Sequence, residues 1–117
     1  MNIEALEAML ASGKDSALLR FGLGKSWLDA GQPVHAATHL ARCVALDPEY
    51  SAAWKLLGKA WLAGGQPQAA RAAWQRGLSV AGSKGDQQAR KEMQVFLRRL
   101  DRAPQDGDPP AVLAKAS

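Results

Sequence analysis

His35, His39 and Cys43 stand at i, i+4 and i+8 of one stretch, a spacing that would line three soft ligands along one helical face and could suit zinc. Tetrahedral zinc needs a fourth ligand, and the sequence offers none at a matching distance. In the repeat pattern set out below, Cys43 turns toward a neighbouring helix while both histidines point to the outer surface. The expectation is therefore one packed thiol, two solvated histidines, and no metal or cofactor. No Gly-rich phosphate loop, CxxC pair or nucleophile elbow occurs, and two histidines among scattered acids do not assemble a catalytic constellation. The sequence reads as non-enzymatic.

The other available chemistry is positive charge. Fifteen Lys and Arg against eleven Asp and Glu give a formal charge of +4, which mildly favours anionic partners. Lys84, Arg90, Lys91, Arg98, Arg99 and Arg102 concentrate near the C-terminal end and could meet a nucleic-acid backbone. They encircle the helix they occupy, however, and Glu92 and Asp101 interrupt them, so nucleic-acid binding is an alternative reading. Four Trp residues would serve as stacking platforms if exposed. Trp27, Trp61 and Trp74 fall at positions that the repeat buries, and Trp54 is placed against the preceding helix, so core is the better reading.

These side chains are positioned by a repeat. Trp27–Pro33 reads WLDAGQP, and 34 residues later Trp61–Pro67 reads WLAGGQP. The offset also superposes Leu23-Gly24-Lys25 on Leu57-Gly58-Lys59, Ala36 on Ala70 and Arg42 on Arg76. A period of this length marks a helical-repeat architecture. Gly31 and Gly65 stop one helix in a left-handed turn, Gln32 and Gln66 stand at the next N-cap, and Pro33 and Pro67 open the following helix. Helices are predicted over 16–30, 33–46, 51–64 and 67–81, with Pro48 ending the first pair. Residues 2–12 repeat the second half of a unit. A one-residue slip, absorbed in a loop at Gly82–Gly85, places Ala89, Met93 and Phe96 on a last helix over 86–102, capped by Asp86. Abundant Ala and Leu, with few Val and Ile, agree with an all-α chain.

Trp54-x-x-Leu57-Gly58-x-x-Trp61 followed by Ala70-x-x-x-Trp74 resembles the tetratricopeptide repeat, as a small bacterial-type member. The first copy matches through Leu23, Gly24, Trp27, Ala36 and Pro48, with Arg20 where the first aromatic would stand and Gly82 replacing the second proline. The resemblance implies a right-handed superhelix of antiparallel helix hairpins with about six helices. Two full repeats, 17–50 and 51–84, would be flanked by the half-repeat helix 2–12 and a capping helix 86–102. The domain would span 1–102, with 103–117 a disordered tail. Gly24, Trp27, Ala36, Gly58, Trp61, Ala70 and Trp74 are the structural positions.

Such arrays are similar in use: the first helices of successive pairs line a concave groove that holds a peptide or a partner's helix. The groove residues assigned here are Phe21, Lys25 and Leu28, then Lys55, Lys59 and Leu62, then Arg90, Gln94, Leu97 and Arg98. Leu28, Leu62 and Leu97 would form an apolar rail beside a basic strip, suited to an acidic peptide or a C-terminal carboxylate. Asn2 is the sole Asn, so the Lys-and-Asn clamp by which some family members hold acidic chaperone tails is not supported. Self-association through the rail, giving a homodimer, is a third reading. An acidic N-terminus without a long apolar run predicts no signal peptide, no membrane partner and a cytoplasmic location.

Overall fold

A computed structural model describes residues 2–102; the expectation of a disordered tail at 103–117 lies outside them. The described residues form six α-helices and no strand: α1 (Ile3–Ala11), α2 (Ala17–Asp29), α3 (Pro33–Leu46), α4 (Ser51–Ala63), α5 (Pro67–Lys84) and α6 (Gln87–Arg102). Each helix packs against the next, and α2 and α6 each also touch α4. The result is an all-α stack of hairpins measuring 58 × 31 × 19 Å.

The GQP joints fold as their residue types require. Gly31 and Gly65 have φ of 76° and 78°, the left-handed region that glycine enters without steric cost. The N–H of Gln32 then donates to the Trp27 carbonyl at 2.9 Å, and that of Gln66 to Trp61 at 2.8 Å, closing the helix end. Neither Gln makes a side-chain cap; Pro33 and Pro67, each lacking an N–H, reduce the need for one. Ser16 caps α2 through Leu19 N–H, and Asp86 caps α6 through Ala89 N–H.

Three small apolar clusters lie in a row. Leu6, Leu19 and Leu23 form the first. Ala36, Leu40, Cys43, Ala53 and Leu57 belong to the second, and Ala70, Trp74, Ala81, Met93 and Leu100 to the third. Trp27 packs against both of the first two clusters, and Trp61 against both of the last two. These two tryptophans are half-buried rather than enclosed, whereas Trp74 is 2% exposed. They act as joints between cores.

The C-terminal end departs from the expectation. There is no loop over Gly82–Gly85: α5 continues as helix through Lys84, and only Gly85, at φ 74°, breaks it. Whereas α2 and α4 start 34 residues apart, at Ala17 and Ser51, α6 starts 36 after α4, at Gln87. The slip is two residues because α5 has 18 residues against 14 in α3, partly offset by a shorter connection. Ala89 and Met93 thereby take the buried positions of Ala53 and Leu57.

Candidate functional site

The first helices of the hairpins touch in order, α4 meeting both α2 and α6. Lys55 Nζ lies 3.3 Å from both carboxylate oxygens of Glu92, and Lys59 Nζ lies 5.1 Å from the centre of the Phe96 ring, within reach of a cation–π attraction. Below Lys59 opens a cavity of about 380 Å³ lined by Lys59, Leu62, Trp74, Phe96, Arg99 and Leu100. Its floor and walls are apolar. The Trp74 indole N–H is already used, donating to the Lys55 carbonyl at 3.0 Å. Two cations stand at the rim, and no ion pair engages either among the described residues.

The assigned groove residues separate into those that converge here and those that do not. Lys59 and Leu62 line the cavity, and Leu62 is 44% exposed. Lys55 is tied to Glu92. Lys25 pairs with Asp29 at 3.4 Å on the open surface, and Phe21 stacks on Tyr50 with ring centres 4.8 Å apart. Leu28 and Leu97 are half-buried against the second and third clusters, so Leu62 is the one exposed member of the expected rail. In the 36-residue offset, Arg90, Gln94 and Leu97 correspond to Trp54, Gly58 and Trp61, the side of α4 that faces its partner helix. The positions matching Lys55, Lys59 and Leu62 are Lys91, Val95 and Arg98. A slip of two instead of one turns α6 by about 100°. Phe96 and Arg99, which line the cavity, are absent from the assigned groove: the sequence places Phe96 on the core stripe and Arg99 among the basic residues of the last helix.

The second polar assembly joins α1 to the first full hairpin. Arg20 takes Asp15 in a two-pronged contact at 2.8 and 3.1 Å and donates from Nη1 to His39 Nδ1 at 3.1 Å. His39 Nε2 faces Glu7 Oε1 at 3.3 Å, and the same oxygen accepts from Trp27 Nε1 at 3.2 Å. His39 is therefore 9% exposed, correcting the expectation of a surface histidine: Arg20, in the place of an aromatic, supplies a buried polar partner. The hydrogen-bonded Arg20 holds the Asp15 carboxyl below its ordinary range, and burial lowers the His39 pKa. His35 stacks on Trp27 with centres 4.7 Å apart. Cys43 Sγ lies 3.2 Å from the Ala17 carbonyl oxygen, and burial pushes its pKa to about 11. These three side chains have separate partners and do not converge.

A sequence profile described as the tetratricopeptide repeat matches residues 27–91, more than half of the chain. The chain belongs to the tetratricopeptide repeat family. It is 64% identical over 103 residues to the TPR repeat-containing protein PA0015 of Pseudomonas aeruginosa, with 88% of this chain and 98% of the relative covered. The solution structure of protein BPP2914 from Bordetella parapertussis is 52% identical, with a TM-score of 0.76 over 87% of this chain and 89% of that one. Tetratricopeptide repeats generally serve as non-enzymatic modules for protein–protein interaction. No helix among the described residues is long and apolar enough to cross a membrane.

Proposed function

We propose that this tetratricopeptide repeat protein is a non-enzymatic adaptor that binds an acidic peptide or helix, with its anchor site in the cavity between α4 and α6. The observation that carries the reading is the pairing of an open apolar cavity with Lys59 and Arg99 at its rim. An apolar side chain would fill the space over Trp74 and Leu100. A carboxylate next to it in the partner would satisfy the two cations. Lys25, Lys55, Phe21 and Leu28 would extend the contact along the stack, and Arg98 would flank it on α6.

The test is fluorescence polarisation with peptides in which one Leu or Phe follows several Asp or Glu, measured across a salt series. Lys59→Glu with Arg99→Glu should weaken binding by tenfold or more, which is about 1.4 kcal/mol, while helicity is retained. Affinity in the unaltered protein should fall as salt rises. Equal binding by the double variant would remove this site from consideration.

A second reading, nucleic-acid binding, gains from one observation. The acids that interrupt the basic C-terminal helix are already paired: Glu92 with Lys55 and Asp101 with Arg71. Lys91, Arg98 and Arg102 are left exposed. A mobility shift with single-stranded and duplex oligonucleotides across a salt series separates it from peptide binding.

A further inference from the structure

The chain carries in its own sequence the kind of ligand that the cavity between α4 and α6 would accept. Beyond the described residues, Asp106 and Asp108 come first, Pro109 and Pro110 follow, and then Val112 and Leu113. Acids ahead of an apolar pair match two cations, Lys59 and Arg99, at the rim of an apolar space. Lys115, the one cation of residues 103–117, stands past the apolar pair and away from the acids. The connection is also short. Phe96, Arg99 and Leu100 line the cavity from the last turns of α6, and that helix ends at Arg102, three residues past Arg99. Those three residues advance the chain by only about 4.5 Å.

We propose that residues 106–113 of this chain are the resident occupant of the cavity, which a partner must displace: Val112 and Leu113 fill the apolar space, and Asp106 and Asp108 meet Lys59 and Arg99.

The proposal rests on the acidic-peptide reading of this cavity and adds its regulation. Ten positions lead from Arg102 to Val112, enough to span about 35 Å when extended, so the segment is long enough to turn back. Closing a loop of that length adds little entropic cost. The tether also presents the segment at an effective concentration on the order of millimolar, so weak contacts suffice for occupancy. Pro109 and Pro110 fix φ at two positions between the acids and the apolar pair, which lowers the cost of ordering that stretch. Charge alone does not select the register. Arg98 and Arg102 are exposed on the same helix and could hold both carboxylates with the cavity left open. The apolar pair decides, because covering Leu62, which is 44% exposed, and the half-buried Phe96 removes apolar surface from water.

A nitroxide on Ala114→Cys in the full chain tests the docking, since the native thiol, Cys43, is buried and stays unlabelled. Paramagnetic broadening should reach the Lys59 and Leu62 amides of α4 as well as the end of α6, and should spare Met9 and Leu18 at the opening between α1 and α2. Val112→Ser with Leu113→Ser should abolish the broadening on α4. Broadening confined to the end of α6, or unchanged by the double substitution, would overturn the proposal. Mixing nitroxide-bearing chains with nitroxide-free, isotope-enriched chains should leave the α4 amides sharp. Broadening there would place a second copy's segment in the cavity and refute the intramolecular form. In a second arm, the acidic–apolar peptide is titrated into both forms. Its apparent affinity should rise in the double variant by the inverse of the open fraction, at least about twofold where half the molecules or more are closed. Equal affinity in both forms would overturn the proposal while the peptide site stands. Broadening on α4 with no peptide bound by either form would instead refute the partner reading and leave the segment as the occupant.

Discussion

An ideal Cβ on Gly58 would lie 2.1 Å from Trp74 Nε1, and one on Gly24 would lie 2.4 Å from Leu40 Cγ. Neither Trp74 nor Leu40 can retreat, since both are enclosed and Trp74 is also held by its bond to the Lys55 carbonyl. Gly58→Ala should therefore destabilise the protein by about 1–3 kcal/mol through overpacking. A melt within a degree of the unaltered protein would contradict that. Both glycines were readable from the repeat, because a residue that permits close helix approach recurs wherever the approach does. His39 was not readable: its burial depends on Arg20 and Glu7, which lie 19 and 32 positions away and belong to no recurring pattern. Cys43 provides a second residue-scale check. With burial raising its pKa to about 11, the thiol should resist alkylation at pH 8 in the folded protein and react promptly in denaturant. Equal rates in both conditions would place the thiol at the surface instead.

At the scale of the element, the helices framed by glycine and proline were read to within a residue or two. Punctuation of that kind acts locally, so the sequence carries it in full. The end of α5 was misread because Gly82 and Gly85 look alike as letters. Only Gly85 adopts a positive φ, whereas Gly82 continues the helix with nothing within 4 Å of its Cβ position. The choice between them depends on where Asp86 caps α6 and where Met93 packs against Gly77, both non-local facts. The error passed on to the register of α6, where the equivalents of Lys55, Lys59 and Leu62 are Lys91, Val95 and Arg98 instead of Arg90, Gln94 and Leu97. The same geometry gives a prediction of opposite sign to Gly58. Gly82→Ala should stabilise the protein by about 0.5–1 kcal/mol, the ordinary helical preference for alanine. An equal loss of stability would mean that the last turn of α5 is not helical in solution.

For the whole molecule, stability is distributed along a line. Each of the three clusters is small, and a stacked array gains cooperativity from the interfaces between neighbours. Here the interfaces run through the two tryptophans that the repeat places in equivalent positions: Trp27 between the first and second clusters, Trp61 between the second and third. Trp61 also stands on α4 close to the cavity lined by Leu62 and Lys59, so the joint that couples the cores adjoins the candidate anchor site. Removing the indole should do more than subtract its own burial. Trp61→Ala should leave the cluster of Trp74, Met93 and Leu100 coupled to the rest through the close approaches of Gly58 to Trp74 and of Gly77 to Trp54, with the Lys55–Glu92 pair and the Trp74 bond to Lys55 adding polar contacts. Partly exposed polar contacts of that kind are worth little. The expected outcome is a transition that broadens or splits, with the calorimetric enthalpy exceeding the van't Hoff value. The α5–α6 amides should lose protection while those of α2 and α3 largely keep theirs. A single sharp transition with uniformly reduced protection would show instead that the three clusters melt as one unit and that the backbone stack, rather than the tryptophan joint, transmits their cooperativity.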